Sequence, residues 1–206
     1  MRVSYQLRAA AAGLPTLQPP RRRVIYFDID GTLVRPTFGR VKKALGDGRF
    51  ERILRRAGFD RVVCVSYAVT IARLFAEVGD VSPREETREI LFRFCAGAFE
   101  DRDWFDANVE LVRNPMGRVT EFDFGADWYY VDDRASWYLD RAGLPAANVR
   151  ERVLQCDPRT EGEDVALWLA DLAPGRVQAG ERHDDVEAPR RYGLGASLAP
   201  YSWRRE

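Results

Sequence analysis

The chain has 206 residues, 46% of them hydrophobic and 31% charged, the balance of a folded domain that buries a core without disulfides or a structural metal. Lys+Arg and Asp+Glu both number 32, so the formal net charge is zero, which argues against a protein whose main task is coating nucleic acid. No apolar run reaches bilayer-spanning length, and three widely spaced cysteines (Cys64, Cys95 and Cys156) without a C-x-x-C pair argue against a disulfide framework or a thiolate zinc site. They fit a reducing, cytoplasmic setting. The single histidine, His183, stands in a polar tail, so neither a His-based metal cluster nor a Ser–His–Asp triad is expected. Lys42 and Lys43 are the only lysines, so any site that needs one must use these two.

Residues 1–22 read as a loose N-terminal arm ending in a basic run rather than a secretory signal. RVIYFDI (23–29) is a short β-branched and aromatic run, the pattern of a buried strand. Residues 41–58 carry helix-spaced apolar positions around an interrupting GDG and stop at Gly58. RVVCVS (61–66) reads as a second strand, and 67–79 as a helix stopping at Gly79. A further helix is expected over 82–99, with Ser82 as cap and Pro83 at the first position. Strands follow at 107–113, 126–133 and 150–158, with helices at 133–145 and 163–175. Residues 176–206 form a polar C-terminal tail. This alternation predicts one α/β domain over 23–175, Rossmann-like, with a mainly parallel sheet flanked by helices and at most a small helical lid at 82–106.

The segment VIYFDIDGTLV (24–34) carries the chemistry. Asp28 and Asp30 end a buried strand, and side chains alternate along a strand, so both can face one way. The carboxyl edge of a parallel sheet is where such folds bind ligands. Two acids there repel each other unless a positive group intervenes, and Mg²⁺ serves, being a hard cation that prefers oxygen ligands. WYYVDDR places Asp132 and Asp133 at the end of another apolar strand, as metal ligands or as caps of the following helix. VVCVS ends in Ser66 just before a helix, either a hydroxyl at a ready phosphate site or a simple cap.

FDIDGTLV resembles the first motif of the haloacid dehalogenase superfamily, hhhDxDGT, and Ser66 and the Asp132–Asp133 pair follow in the order of that family's second and fourth motifs. The resemblance covers about residues 23–175 and implies a Mg²⁺-dependent phosphohydrolase. It implies that Asp28 attacks phosphorus to form an aspartyl-phosphate, and that Asp30 protonates the leaving group and then activates water. It further implies that Asp28, Asp30, Asp132 and Asp133 surround the metal and that Ser66 binds phosphate. The family's third motif is usually a lysine, and none lies between Ser66 and Asp132. Arg118, 14 residues before Asp132, or Arg113 would supply the charge. Arg118 is preferred and is expected on a polar loop, where its loss would leave the fold intact.

No large cap fits between the first motif and the second strand. Compact family members have open sites, and some close them by forming oligomers. The implied partner is therefore a phosphorylated substrate (a small molecule, a nucleic-acid end or a phosphoprotein), with no membrane. The missing lysine also raises an alternative, a weak or inactive relative that binds a phosphorylated ligand or a protein. Of the aromatic residues Trp104, Phe105, Trp128, Tyr129, Tyr130, Trp137 and Tyr138, core packing is the expected role.

Overall fold

Val24 to Phe27 are buried on both faces, which requires a strand covered on each side. The computed structural model describes residues 21–35, 40–77, 82–95 and 97–173, with no side-chain description at 146 and 147. In it these residues form β1 (Arg23–Phe27), the centre of a five-stranded, all-parallel sheet. β2 (Arg61–Cys64) pairs on one side of β1 and β4 (Asp127–Asp132) on the other. β3 (Val109–Leu111) and β5 (Val153–Gln155) are the edges, giving the order β3-β2-β1-β4-β5. Six α-helices among the described residues flank it: α1 (Arg49–Ala57), α2 (Ala68–Ala76), α3 (Pro83–Phe94), α4 (Arg102–Asn108), α5 (Ala135–Arg141) and α6 (Glu163–Asp171). This is the α/β, Rossmann-like architecture that the alternating pattern predicts.

The boundaries depart from expectation for local reasons. The helix expected over 41–58 divides into a 3-10 turn, Lys43–Leu45, and α1. Asp47 and Gly48 between them have φ of 53° and 64°, a left-handed conformation that a continuing helix does not admit. Gly48 is also pressed on Glu100, whose carboxylate would lie 2.6 Å from a Cβ at that position. α3 ends at Phe94, short of 99, and Ser82 occupies the N-cap position without a side-chain capping bond. α4 is a helix absent from the sequence reading; the Asp101 carboxylate starts it by accepting from the Trp104 backbone N–H at 2.9 Å. The expected helix at 133–145 contracts to α5, and the edge strands to three residues each. The N-terminal arm through residue 20, Gly79, His183 and the polar tail lie outside the described residues.

The core sits on both faces of the sheet. On one, Phe50 meets Phe27 and Phe99 edge-on, each with ring centroids 5.5 Å apart. Leu91, Cys95, Phe99 and Phe105, all from 82–106, are buried in the same core. Trp128 and Tyr130 are buried as expected, with Phe122 against both, whereas Trp137 is 50% exposed. All three cysteines are buried and unpaired. No helix among the described residues is long and apolar enough to cross a membrane.

Candidate active site

From β1 the chain runs to β2 and β3 on one side of the sheet, then crosses to β4 on the other. The carboxyl ends of β1 and β4 therefore diverge at the topological switch point, where open parallel sheets leave a ligand crevice. Register decides which side chains meet there. Phe27 is paired with Val131, so Asp28 and Asp132, the next residues, stand side by side, and the Asp28 N–H donates to the Val131 carbonyl at 3.0 Å. Carboxylate oxygens of Asp28, Asp132 and Asp133 all fall within 4.8 Å of one another. Asp30 is outside this trio but shares with Asp28 and Asp133 the lining of a cavity of about 220 Å³, which Tyr67, Arg134 and Tyr138 also line.

Arg118 closes the group. Its Nη1 donates to Asp28 Oδ1 at 3.1 Å and to Asp132 Oδ2 at 2.6 Å. Nη2 donates to the Tyr138 hydroxyl at 3.0 Å and Nε to the Pro115 carbonyl at 3.1 Å. The polar-loop expectation is wrong for this residue. Arg118 lies in a 3-10 segment, Pro115–Glu121, and is only 2% exposed, because the guanidinium is drawn inward by the two carboxylates. Arg113 does not join it; that side chain is exposed, and its backbone N–H donates to Glu121 Oε2.

The remaining expected residues are close at hand. Ser66 is fully buried and accepts from the Ala68 N–H at 3.2 Å at the start of α2, and its hydroxyl favours the ionised form of Asp28. Three supporting residues escaped the sequence reading. Tyr130 donates to Asp132 Oδ2 at 2.5 Å; the signal for it was the two-residue spacing that puts both on one strand face. Tyr138 positions Arg118. Thr32 accepts from the Asp133 N–H at 3.1 Å. Gly31, with φ of 78°, leaves space for Asp133: a Cβ there would sit 2.4 Å from Asp133 Oδ2.

Burial dominates the electrostatics. It raises Asp28 well above the usual carboxylate range, repulsion from Asp132 adds to this, and Arg118 offsets part of it. Burial also raises Asp30, again against Arg118. Asp133 is pushed up to about 6 by burial and by Asp132, with Arg134 and Lys42 opposing. Burial alone would lower Arg118, but Asp28 and Asp132 outweigh it and raise its pKa. Cys64, behind Asp28, is pushed by burial up to about 12 and is no nucleophile at neutral pH.

A carboxyl raised in the folded state favours folding when protonated, so metal-free stability rises as pH falls through about 6 and levels off near the unfolded value. Asp133→Asn is expected to stabilise the metal-free protein by on the order of 2 kcal/mol at pH 7.5 and by almost nothing at pH 4. Urea unfolding in EDTA at the two pH values measures the difference, and a pH-independent gap would contradict the assignment.

The donor set fits a hard divalent cation: oxygen ligands only, from adjacent strand ends, with burial and mutual repulsion that a positive ion would relieve. Asp28, Asp132 and Asp133 would hold it. No protein-family model, no curated protein and no solved structure matches this chain.

Proposed function

We propose that the chain is a Mg²⁺-dependent phosphohydrolase of the haloacid dehalogenase type, cleaving phosphomonoesters through an aspartyl-phosphate on Asp28. The observation that carries this reading is Arg118, a buried guanidinium shared by Asp28 and Asp132 at the switch point of a parallel sheet, beside Asp30. It supplies the fixed cation otherwise expected from lysine.

On this reading Asp28 attacks phosphorus, and the ester oxygen departs with the proton that Asp30 holds. Asp30, now ionised, takes a proton from the water that attacks the acyl phosphate, and Asp28 is released with inorganic phosphate. A bound Mg²⁺ supplies charge neutralisation of the phosphoryl oxygens. Arg118 restrains Asp28, and its engaged N–H groups leave one Nη2 proton for a substrate oxygen. The buried Ser66 hydroxyl, at the start of α2, favours the ionised form of Asp28 and is the residue expected to bind phosphate. The buried thiols suit a cytoplasmic protein.

The test is phosphate release from a panel of phosphorylated metabolites, oligonucleotides and phosphopeptides. Mg²⁺-dependent turnover that EDTA abolishes is expected. A panel without turnover, from a protein that takes up no Mg²⁺, overturns the reading; ligand binding without turnover supports an inactive binding protein.

A further inference from the structure

Tyr67 follows Ser66 directly and lines the cavity that holds Asp28, Asp30 and Asp133. It is 45% exposed. Among the described residues its ring touches no other ring or cation, and its hydroxyl has no hydrogen bond. A lone aromatic on a surface is ordinary, but an unpartnered ring in the cavity of the acids is a contact left for the substrate. Tyr138 lines the same cavity from the opposite flank: Tyr67 follows β2, Tyr138 stands in α5 after β4, and β1 lies between those strands. Tyr138 is already engaged, with the Arg118 guanidinium 3.9 Å from its ring centroid and the Trp137 ring edge-on at 4.7 Å. Tyr67 is the free ring of the two.

The cavity of about 220 Å³ is smaller than the roughly 300–1,000 Å³ of sites that enclose a whole small molecule. It accommodates a phosphoryl group and one ring, and the rest of the substrate must lie on the surface outside. The charged lining groups, the acids with Arg118 and Arg134, suit a metal and phosphoryl oxygens, so the part of the substrate next to phosphorus meets Tyr67. A ring bonded to the ester oxygen reaches Tyr67 while phosphorus stands at Asp28. A nucleotide base, set off from phosphorus by a sugar, would pass beyond the cavity.

The surface outside has a direction. Tyr67 has helical backbone angles, φ −61° and ψ −24°, and α2 continues from it. Leu74 and Phe75 follow at the seventh and eighth positions, on the same face of the helix, and are 60% and 64% exposed. Ala68, Val69, Ala72 and Ala76 turn the other face into the core. The apolar strip thus begins in the cavity and runs about 12 Å along α2 at ~1.5 Å per residue, a length that three or four residues of extended peptide cover at ~3.3 Å each.

Resting on the phosphohydrolase reading, we infer that the substrate is a phosphotyrosyl residue of a polypeptide, its ring held against Tyr67 and its apolar neighbours against Leu74 and Phe75. As Asp28 bonds to phosphorus, the bond from phosphorus to the phenolic oxygen breaks and that oxygen leaves with the proton of Asp30. Water then frees inorganic phosphate from Asp28.

The test is kcat/KM with Mg²⁺ for the full chain on phenyl phosphate, a nucleoside monophosphate and three peptides. One peptide carries leucine and phenylalanine within four positions of a phosphotyrosine, the second replaces these with glutamine, and the third replaces phosphotyrosine with phosphoserine. The parent is expected to prefer the apolar phosphotyrosyl peptide to every other probe. Tyr67→Ala should lower its turnover roughly three- to tenfold more than that of the phosphoseryl peptide, the size of a ring-on-ring contact, and Tyr67→Phe should stay near the parent. Leu74→Gln with Phe75→Gln should cut the preference for the apolar peptide over phenyl phosphate by roughly tenfold. In the parent alone, phenyl phosphate, the glutamine peptide or the nucleotide cleaved as well as the apolar peptide overturns the inference and leaves the phosphohydrolase reading standing. Equal losses on both esters in Tyr67→Ala do the same. No Mg²⁺-dependent turnover of any probe overturns the reading itself.

Discussion

Asp28→Asn is expected to abolish turnover, a loss beyond the roughly 10²–10⁴-fold that removal of the neighbouring acid/base in Asp30→Asn would cause. An amide neither attacks phosphorus nor accepts the phosphoryl group, so no slow version of the covalent route survives. The same substitution is expected to stabilise the metal-free protein at neutral pH, because it removes a buried charge that Asp132 repels while Arg118 keeps Asp132 as its partner. Opposite movements of activity and stability distinguish a residue placed for chemistry from one placed for folding. Mass spectrometry of Asp30→Asn quenched during turnover should find the phosphoryl group on Asp28. Ordinary activity in Asp28→Asn would sink the covalent mechanism.

Arg118→Ala should carry the second large effect, on stability as well as activity. Asp28 and Asp132 would be left facing each other without the guanidinium, and removing one partner of a buried ion pair costs roughly 3–5 kcal/mol. Mg²⁺ should restore part of this by taking over the charge. Arg118→Lys should keep more activity than Arg118→Ala, since an ammonium retains the charge, but it cannot bridge both acids while also bonding Tyr138 and Pro115. Chemical denaturation with and without Mg²⁺, together with phosphate affinity, measures each part. An alanine variant as stable and as active as the parent would remove Arg118 from the site.

How far the sequence shows all this depends on whether the signal is local. The run from Val24 to Phe27 and the spacing of Asp28 and Asp30 are local, so β1 and its acids were readable. Asp132 and Asp133 were readable in the same way. Arg118 could be chosen by its distance from Asp132, yet its burial was hidden, because Asn114 to Glu121 reads as a polar stretch and only the folded chain brings two carboxylates to it. α4 was lost because seven residues carry too little periodicity to stand out.

The central strand pair has a consequence for how the protein is made. Asp28 and Arg118 are 90 positions apart, and Thr32 and Asp133 are 101 apart. A chain emerging from the ribosome carries Asp28 early, but it completes the trio only when β4 has been synthesised and has docked beside β1. Such distant contacts are slow to form, since a long loop must close before they return any stabilisation. Contacts that form after the folding barrier affect the unfolding rate rather than the folding rate. An ion gripped by this trio would therefore act as a latch on the finished domain, lengthening its lifetime while leaving the pace of its assembly unchanged.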